Sequence, residues 1–376
     1  MKILHILPVL KKGGAENLVL MLSKLSLSNA ANVSVLIGYC EDFRMLDKLN
    51  KNAKVRCISD TPVSKLRLYI YSFHWIISNR AHILTFDIVH AHLTLASILS
   101  SCLYIYRKVL IKKAPKFVET NHSCGSPLNF TQLSLKKSLY FFRDGLAHIN
   151  QTPTWEHFPI FKQMTCQVIY NGAPAQEKEF TPLQIKNYMN SIGFNQNSKF
   201  TIGTISRLEL DREPSIFIKI FSLLNKKDPN KFNFLLGGSG SQEDNLKKLA
   251  ASHGILKNCI FAGYTDDPYL PLNLMDIFLS INVEGSTGLA GLESAQAGVP
   301  LVGIQWLNTY QSQPDDWVWS SADIESIARK VHELSLDRKQ LASLSIKQQE
   351  FVHNNFSEHR MLKNYTSFYK KVLAET

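Results

Sequence analysis

Four clusters of residues in this 376-residue chain have types and spacings that suit chemistry on an anion. In Lys11-Lys12-Gly13-Gly14-Ala15-Glu16, glycines let a ligand approach the backbone, and the free amides of a helix start favour negative charge. A tight strand-to-helix turn would use the same residues. In Thr204-Ile205-Ser206-Arg207-Leu208-Glu209-Leu210-Asp211-Arg212, Arg207 and Arg212 stand five positions apart beyond an apolar run. Their donor forks suit phosphate oxygens, and they suit a charged surface equally well. Gly237-Gly238-Ser239-Gly240 has the character of a nucleotide-contacting loop, but no Lys-Ser or Lys-Thr follows it, so it is not a P-loop. The richest cluster is 282–300, where Glu284 ends an apolar run and Gly285-Ser286-Thr287-Gly288-Leu289 opens a helix that carries Glu293. Amides at the helix start would meet an anion, and Glu293 could accept two hydrogen bonds from a ribose diol. A plain N-cap at Ser286 or Thr287 with a solvated acid accounts for the same residues.

Histidines add a fifth feature. His122 follows Thr120-Asn121, and His90 and His92 flank Ala91. No cysteine or third histidine is placed to complete a ligand set with the pair, and there is no strong Asp-x-Asp candidate, so no metal is expected. Strand alternation is expected to send one of the two histidines toward a cleft and to bury its neighbour.

Elements that would position these residues come from the apolar pattern. Short β-rich runs at 2–9, 33–39, 55–58, 88–90 and 116–119 alternate with helix-like stretches at 15–27, 43–50 and 93–106. After the Asn171-Gly172-Ala173-Pro174 punctuation, runs at 200–206, 233–237, 260–263, 277–281 and 301–304 alternate with helices at 215–224, 243–253 and 289–297. Such alternation builds parallel sheets covered by helices. Two Rossmann-like domains, 1–170 and 171–355, are expected to face each other across a cleft. Ser357 as N-cap with Met361, Tyr365, Phe368 and Val372 predicts a final helix over 356–376 that returns to the first domain.

Composition closes off other classes. Hydrophobic residues make up 45% and charged residues 19%, which is a globular balance without a disordered bias. The six cysteines are scattered singly, as thiols in a reducing compartment would be, which excludes a disulfide scaffold and a zinc ribbon. The start of the chain is interrupted by His5 and Pro8 and reads as a buried strand rather than a secretion signal. The longest uncharged stretch, 88–106, contains His90, His92 and several serines, so no transmembrane helix is expected. The net charge of +11 is uneven: residues 1–170 hold 21 Lys and Arg against 9 Asp and Glu, and the remainder 21 against 22. The excess points to an anionic partner for the first domain or to a solubilising face. Aromatic and basic residues mix at 65–77 and 104–113, which favours an anionic membrane surface. No RNP-like, zinc-finger or helix-turn-helix signature supports nucleic acid.

Taken in order, the Gly13-Gly14 turn, Asp87-Ile88-Val89-His90-Ala91-His92, Thr120-Asn121-His122, the Asn171-Gly172 hinge, Arg207 and Arg212, the glycine loop at 237–240, Phe261-Ala262-Gly263-Tyr264 and the two-glutamate segment resemble retaining glycosyltransferases of the GT-B fold, specifically glycosyltransferase family 4. The resemblance covers nearly the whole chain. It implies that Arg207 and Arg212 bind the donor diphosphate, the second position usually being Lys in that family. It implies Glu293 for the donor ribose, Glu284 near the donor sugar and His122 reaching toward the transferred sugar. It likewise implies substrate contacts at Gly13, Gly14, Gly238, Tyr264, Ser286, Thr287, Gly288 and Leu289. Two departures stand out: eight residues separate Glu284 from Glu293 where the family has seven, and Gln305-Trp306-Leu307-Asn308-Thr309-Tyr310 replaces a glycine pair and an acid.

The expectation is a metal-independent hexosyltransferase that needs no cofactor. It would move a sugar from a nucleotide-diphosphate donor, a UDP-sugar foremost, to a glycan or polyprenyl-diphosphate-linked acceptor in bacterial surface-polysaccharide assembly, from the inner face of the cytoplasmic membrane. A non-catalytic membrane- or nucleic-acid-binding protein and a nucleotide-sugar epimerase are the alternatives.

Overall fold

The computed structural model describes residues 1–28, 30–110, 115–122, 134–135, 138–149, 164–174, 176, 179–195, 199–265, 267–282, 288–305, 318–320 and 323–375. The chain divides into two compact units, Met1–Asn171 with Glu358–Thr376, and Gly172–Ser357. Each is built on a parallel sheet.

In the first unit the strands are β1 (Lys2–Leu10), β2 (Asn32–Cys40), β3 (Lys54–Cys57), β4 (Ile88–His92), β5 (Lys116–Asn121), β6 (Gly145–His148) and β7 (Thr165–Val168). Their order is β3-β2-β1-β4-β5-β6-β7, every pairing parallel. The order reverses between β1 and β4, which makes that junction the switch point where an open α/β sheet takes ligands. Helices α1 (Gly14–Ser23), α2 (Phe43–Asn52), α3 (Lys65–Ser78), α4 (Arg80–Ile83) and α5 (Leu93–Leu110) connect the strands. Central strands are apolar on both faces because both are covered. Ile3, Leu7, Val33, Val35 and Ile88 pack in one cluster, while Leu4, Ile6, Leu36, Val89 and Ala91 pack in another.

The second unit holds β8 (Phe200–Ile205), β9 (Phe232–Gly237), β10 (Cys259–Gly263), β11 (Ile277–Asn282), β12 (Leu301–Gln305) and β13 (Val318–Ser320) in the order β10-β9-β8-β11-β12-β13. Its switch point lies between β8 and β11. The helices are α6 (Pro182–Ser191), α7 (Ser215–Lys227), α8 (Glu243–Ser252), α9 (Tyr269–Leu272), α10 (Gly288–Gln296), α11 (Ile324–Leu336) and α12 (Arg338–Phe356). Its core is rich in phenylalanine, with Phe221 stacked on Phe234 at 4.4 Å between ring centroids. Gln348 on α12 is fully buried and ties the sheet to the helix through both ends of its amide, accepting from the Leu301 amide at 2.7 Å and donating to the Leu301 carbonyl at 2.9 Å.

The last helix, α13 (Glu358–Ala374), packs on the first unit's sheet, where Met361, Tyr365, Phe368, Tyr369 and Val372 complete the Ile3 and Leu7 cluster. Gly145 on β6 allows this approach: a Cβ there would stand 2.7 Å from Val372 Cγ2 and 3.0 Å from Phe368 Cζ. Gly145→Ala therefore overpacks the contact. We expect a loss of about 1–3 kcal/mol in denaturant unfolding and faster proteolysis of the C-terminal helix; an unchanged midpoint would show that the helix yields without cost.

Candidate active site

In the second unit, the segments that leave β8, β9 and β10 are tied to one another by backbone bonds. The Ser206 amide donates to the Gly237 carbonyl at 3.0 Å, the Leu208 amide to the Ser239 carbonyl at 3.0 Å, and the Gly238 amide to the Gly263 carbonyl at 2.7 Å. Gly238 has φ +112, and a Cβ there would fall 1.9 Å from the Ser206 carbonyl oxygen, so the close approach requires glycine. Glu209 clamps the loop from the other side, accepting from the Ser241 amide at 3.0 Å and from its hydroxyl at 2.6 Å. These two bonds hold the Glu209 carboxyl below its usual range. Leu208, fully buried, anchors the arginine segment between them.

The two arginines converge on one carboxylate. Arg207 Nη2 lies 2.8 Å from Asp211 Oδ2, and Arg212 Nε lies 3.9 Å from the same oxygen. All three side chains are well exposed, so the pairing contributes at most about 1 kcal/mol and an incoming anion can replace it. Tyr264, just beyond β10, is also exposed.

Across the switch point, β11 leads to α10, whose first residue, Gly288, has φ +64. Glu284, Ser286 and Thr287 lie outside the described residues. Leu289 is half-buried on the first turn. Glu293, one turn further, is buried, and desolvation with the nearby Asp267 charge raises its carboxyl to about 7. It is therefore no solvated helix acid. Asp267 itself accepts from the amide of Tyr269, the first residue of α9, at 3.0 Å.

In the first unit, Gly13 precedes α1, and the carboxylate of Glu16 folds back to within 2.3 Å of where a Gly13 Cβ would stand. Glu16 is buried, its carboxyl is raised by desolvation, and its Oε1 has no hydrogen-bond partner among the described residues. The helix start at Gly13 and Gly14 thus already faces an acid of the chain. At the other side of this switch point the histidine expectation needs correction. His90 and His92 are two residues apart on one strand, so alternation puts them on the same face, and both are fully buried. A third histidine does lie beside them: β1 pairs with β4 so that His5 stands opposite His90. Ligand atoms of His5, His90 and His92 lie within 4.8 Å of one another. His122, half-buried beyond β5, joins the group through His92, with Nε2 at 3.1 Å from His92 Nδ1. Spacing along the chain could not show His5, because its neighbours come from strand register.

Residues 185–351 match the family model for glycosyl transferases group 1. The second unit carries this glycosyltransferase domain. The O-antigen biosynthesis glycosyltransferase WclY of Escherichia coli is 21% identical over 310 residues, spanning 79% of this chain and 82% of WclY. The poly(ribitol-phosphate) alpha-N-acetylglucosaminyltransferase of Staphylococcus aureus is 21% identical over 294 residues, 72% of this chain and 58% of that enzyme. Among solved structures, Anabaena HepE in complex with UDP and glucose shares the fold with a TM-score of 0.78 at 17% identity, covering 99% of this chain and 100% of HepE. The architecture is therefore GT-B, two Rossmann-like units with parallel sheets.

Within the group 1 glycosyltransferase domain, the arginine pair and Glu293 follow the two strands that flank the switch point. Arg207 and Arg212 can neutralise an anion, and Glu293, once ionised, can accept from hydroxyls. Its raised carboxyl has a stability consequence with a definite sign. Between pH 4.5, the ordinary value, and about 7 the folded state holds a proton that the unfolded chain has lost, so this residue's contribution to stability falls as pH rises through that window. Fully developed above pH 7, the loss is about 3 kcal/mol. Glu293→Gln is expected to raise the unfolding midpoint in mild alkali while leaving it nearly unchanged in acid. The same variant should weaken UDP binding by roughly ten- to a hundredfold by calorimetry. Unchanged UDP affinity would remove Glu293 from the nucleotide site.

Proposed function

We propose that the chain is a retaining glycosyltransferase that moves a hexose-type sugar from a UDP-sugar to a glycan or polyprenyl-diphosphate-linked acceptor in bacterial surface-polysaccharide assembly. The observation that carries this reading is the convergence of Arg207 and Arg212 on a single exposed carboxylate at the switch point of the glycosyltransferase domain. It is supported by the UDP seen in HepE and by the O-antigen and poly(ribitol-phosphate) activities in the names of the relatives.

The diphosphate displaces Asp211 from the two guanidinium groups, which then offset the charge that develops as UDP departs. Amides at the start of α10, at Gly288 and Leu289, add positive potential, and by the family resemblance the Thr287 amide is assigned to the diphosphate and Glu284 to the donor sugar. Positive charge from side chains and helix start serves in place of a divalent ion, and no cofactor is required beyond the donor. Glu293 accepts from the ribose hydroxyls, a step that favours its ionised form, and Tyr264 and Gly238 border the nucleotide. His122 is assigned to the transferred sugar and the Gly13-Gly14 turn to the diphosphate. The acceptor attacks from the face that the leaving group vacates, without a protein nucleophile, which retains configuration.

The first unit is read as the acceptor side, held at an anionic membrane surface. On α3, Leu66, Ile70, Phe73 and Ile77 follow one another at four, three and four residues and are all exposed, beside Lys65 and Arg67. Such a stripe with basic flanks suits the headgroup region of an anionic leaflet. The other basic-aromatic segment is used differently: Tyr104 is buried, and Arg107 is engaged with Asp144 at 2.9 Å. No described helix is long and apolar enough to cross a membrane.

Nucleotide release from UDP-sugars in the presence of acceptor tests the reading. Wild type should release UDP only with acceptor, and Arg207→Ala should lower turnover roughly a hundred- to a thousandfold, the effect of removing one stabiliser of transition-state charge. Full activity of that variant would refute the role of Arg207. Sugar inversion at a ring carbon without transfer would indicate the epimerase, and donor binding without either reaction the non-catalytic alternative.

A further inference from the structure

Three fully buried histidines in one core are costly unless something satisfies them, and here most of their nitrogens are spoken for. His5, His90 and His92 share the face of the first unit's sheet that α13 covers, and each is 0% exposed. Burial keeps all three neutral: His5 is pushed down to about 3, and His90 and His92 well below the usual imidazole range. His90 is satisfied by hydroxyls, with Nδ1 at 2.8 Å from the Tyr369 hydroxyl and Nε2 at 2.8 Å from Thr120 Oγ1. Thr120 in turn meets the Tyr365 hydroxyl at 3.0 Å. The remaining rings form a chain: His5 Nδ1 lies 3.0 Å from His92 Nε2, and His92 Nδ1 lies 3.1 Å from His122 Nε2. One atom is left over. His5 Nε2 is buried with no hydrogen-bond partner among the described residues.

Whichever nitrogen of His90 and of His92 a metal took, it would break a hydrogen bond already made there, so the geometry favours a hydrogen-bond chain over a ligand set. Each link between two neutral imidazoles needs one N–H and one bare nitrogen. The chain therefore has only two polarities. In the first, His5 donates to His92, His92 donates to His122, and His5 Nε2 is a bare acceptor in the core. In the second every bond is reversed, and His5 Nε2 carries a hydrogen with nothing to receive it. Orphaned buried N–H groups are rare in proteins, which favours the first polarity.

We infer that His92 is a positioning residue that fixes the proton of neutral His122 on Nδ1, with His5 setting the direction of the chain. A histidine in water favours the opposite tautomer, so the buried rings impose a choice the side chain would not make by itself. Leu93, directly after His92, holds φ +69, a left-handed conformation, and β4 ends at His92. In the tautomer so fixed, the His122 Nδ1–H is of a kind that can donate to a hydroxyl or ring oxygen of a sugar. That last consequence rests on the function proposed above; the tautomer does not.

The test uses the full chain with isotope-labelled histidine rings, read by NMR above neutral pH, with His122→Gln to identify the His122 signals. Wild type should show His122 protonated on Nδ1 and bare on Nε2. His92→Phe should shift His122 toward the Nε2–H form, whereas His92→Asn, whose amide N–H replaces the Nδ1–H of His92, should preserve the wild-type pattern. Should His92→Phe fail to fold, His5→Phe replaces it, with mixed tautomers expected at His122. A wild-type His122 protonated on Nε2, or an unchanged tautomer in the phenylalanine variant that folds, overturns the inference. UDP release by the same variants is a separate reading. Turnover lost in His92→Phe and recovered in His92→Asn supports the positioning role, while a shifted tautomer with unaltered turnover upholds the tautomer and removes His122 from sugar recognition.

Discussion

Two guanidinium groups held beyond one strand, with a single exposed carboxylate between them, set the terms for everything else in the second unit. Asp211 lies 2.8 Å from Arg207 and 3.9 Å from Arg212, an exposed pairing that water and a stronger ligand can displace. Holding that arrangement takes rigid surroundings: buried Leu208 below, the glycine loop locked by backbone bonds at its side, and Glu209 clamping Ser241. The β8–β11 switch point then places Glu293 after the neighbouring strand, in a site dry enough to lift its carboxyl to about 7. Cationic side chains after one strand and a desolvated acid on the helix that follows its neighbour suit a ligand with an anionic and a hydroxylated part.

The first unit solves a different problem with the same topology. Its switch point is flanked by Glu16 at the start of α1 and by the histidines of β4, so neutral imidazoles and a buried acid occupy the place where the second unit displays arginines. Tyr365 and Tyr369 arrive from α13, the far end of the chain, to meet Thr120 and His90. The polar core of the first unit is therefore completed only when the last helix docks.

Much of this was legible in the chain, and the rest was hidden for identifiable reasons. Apolar runs at 2–9, 33–39, 200–206 and 233–237 are strands because a strand covered on both faces must be apolar throughout, and that pattern survives in the bare sequence. The final helix was visible in its N-cap and spacing. Strands of three or four residues, Gly145–His148, Thr165–Val168 and Val318–Ser320, are too short to show a period. Arg207, Arg212 and Glu293 stand out because their types and local motifs carry meaning along the chain. His5, Asp211 and Glu16 do not: their roles come from a cross-strand register, a shared ion pair and a folded-back side chain, which are spatial facts. His90 and His92 depart from the expectation of one cleft-facing and one buried ring because residues two apart on a strand share a face.

A crystal structure of the full chain soaked with UDP tests the central claim most directly. The account predicts pyrophosphate oxygens within hydrogen-bond distance of both the Arg207 and Arg212 guanidinium groups, with Asp211 turned away, and ribose hydroxyls on the Glu293 carboxylate. UDP bound elsewhere, or bound with the Arg207–Asp211 pair intact, would contradict it.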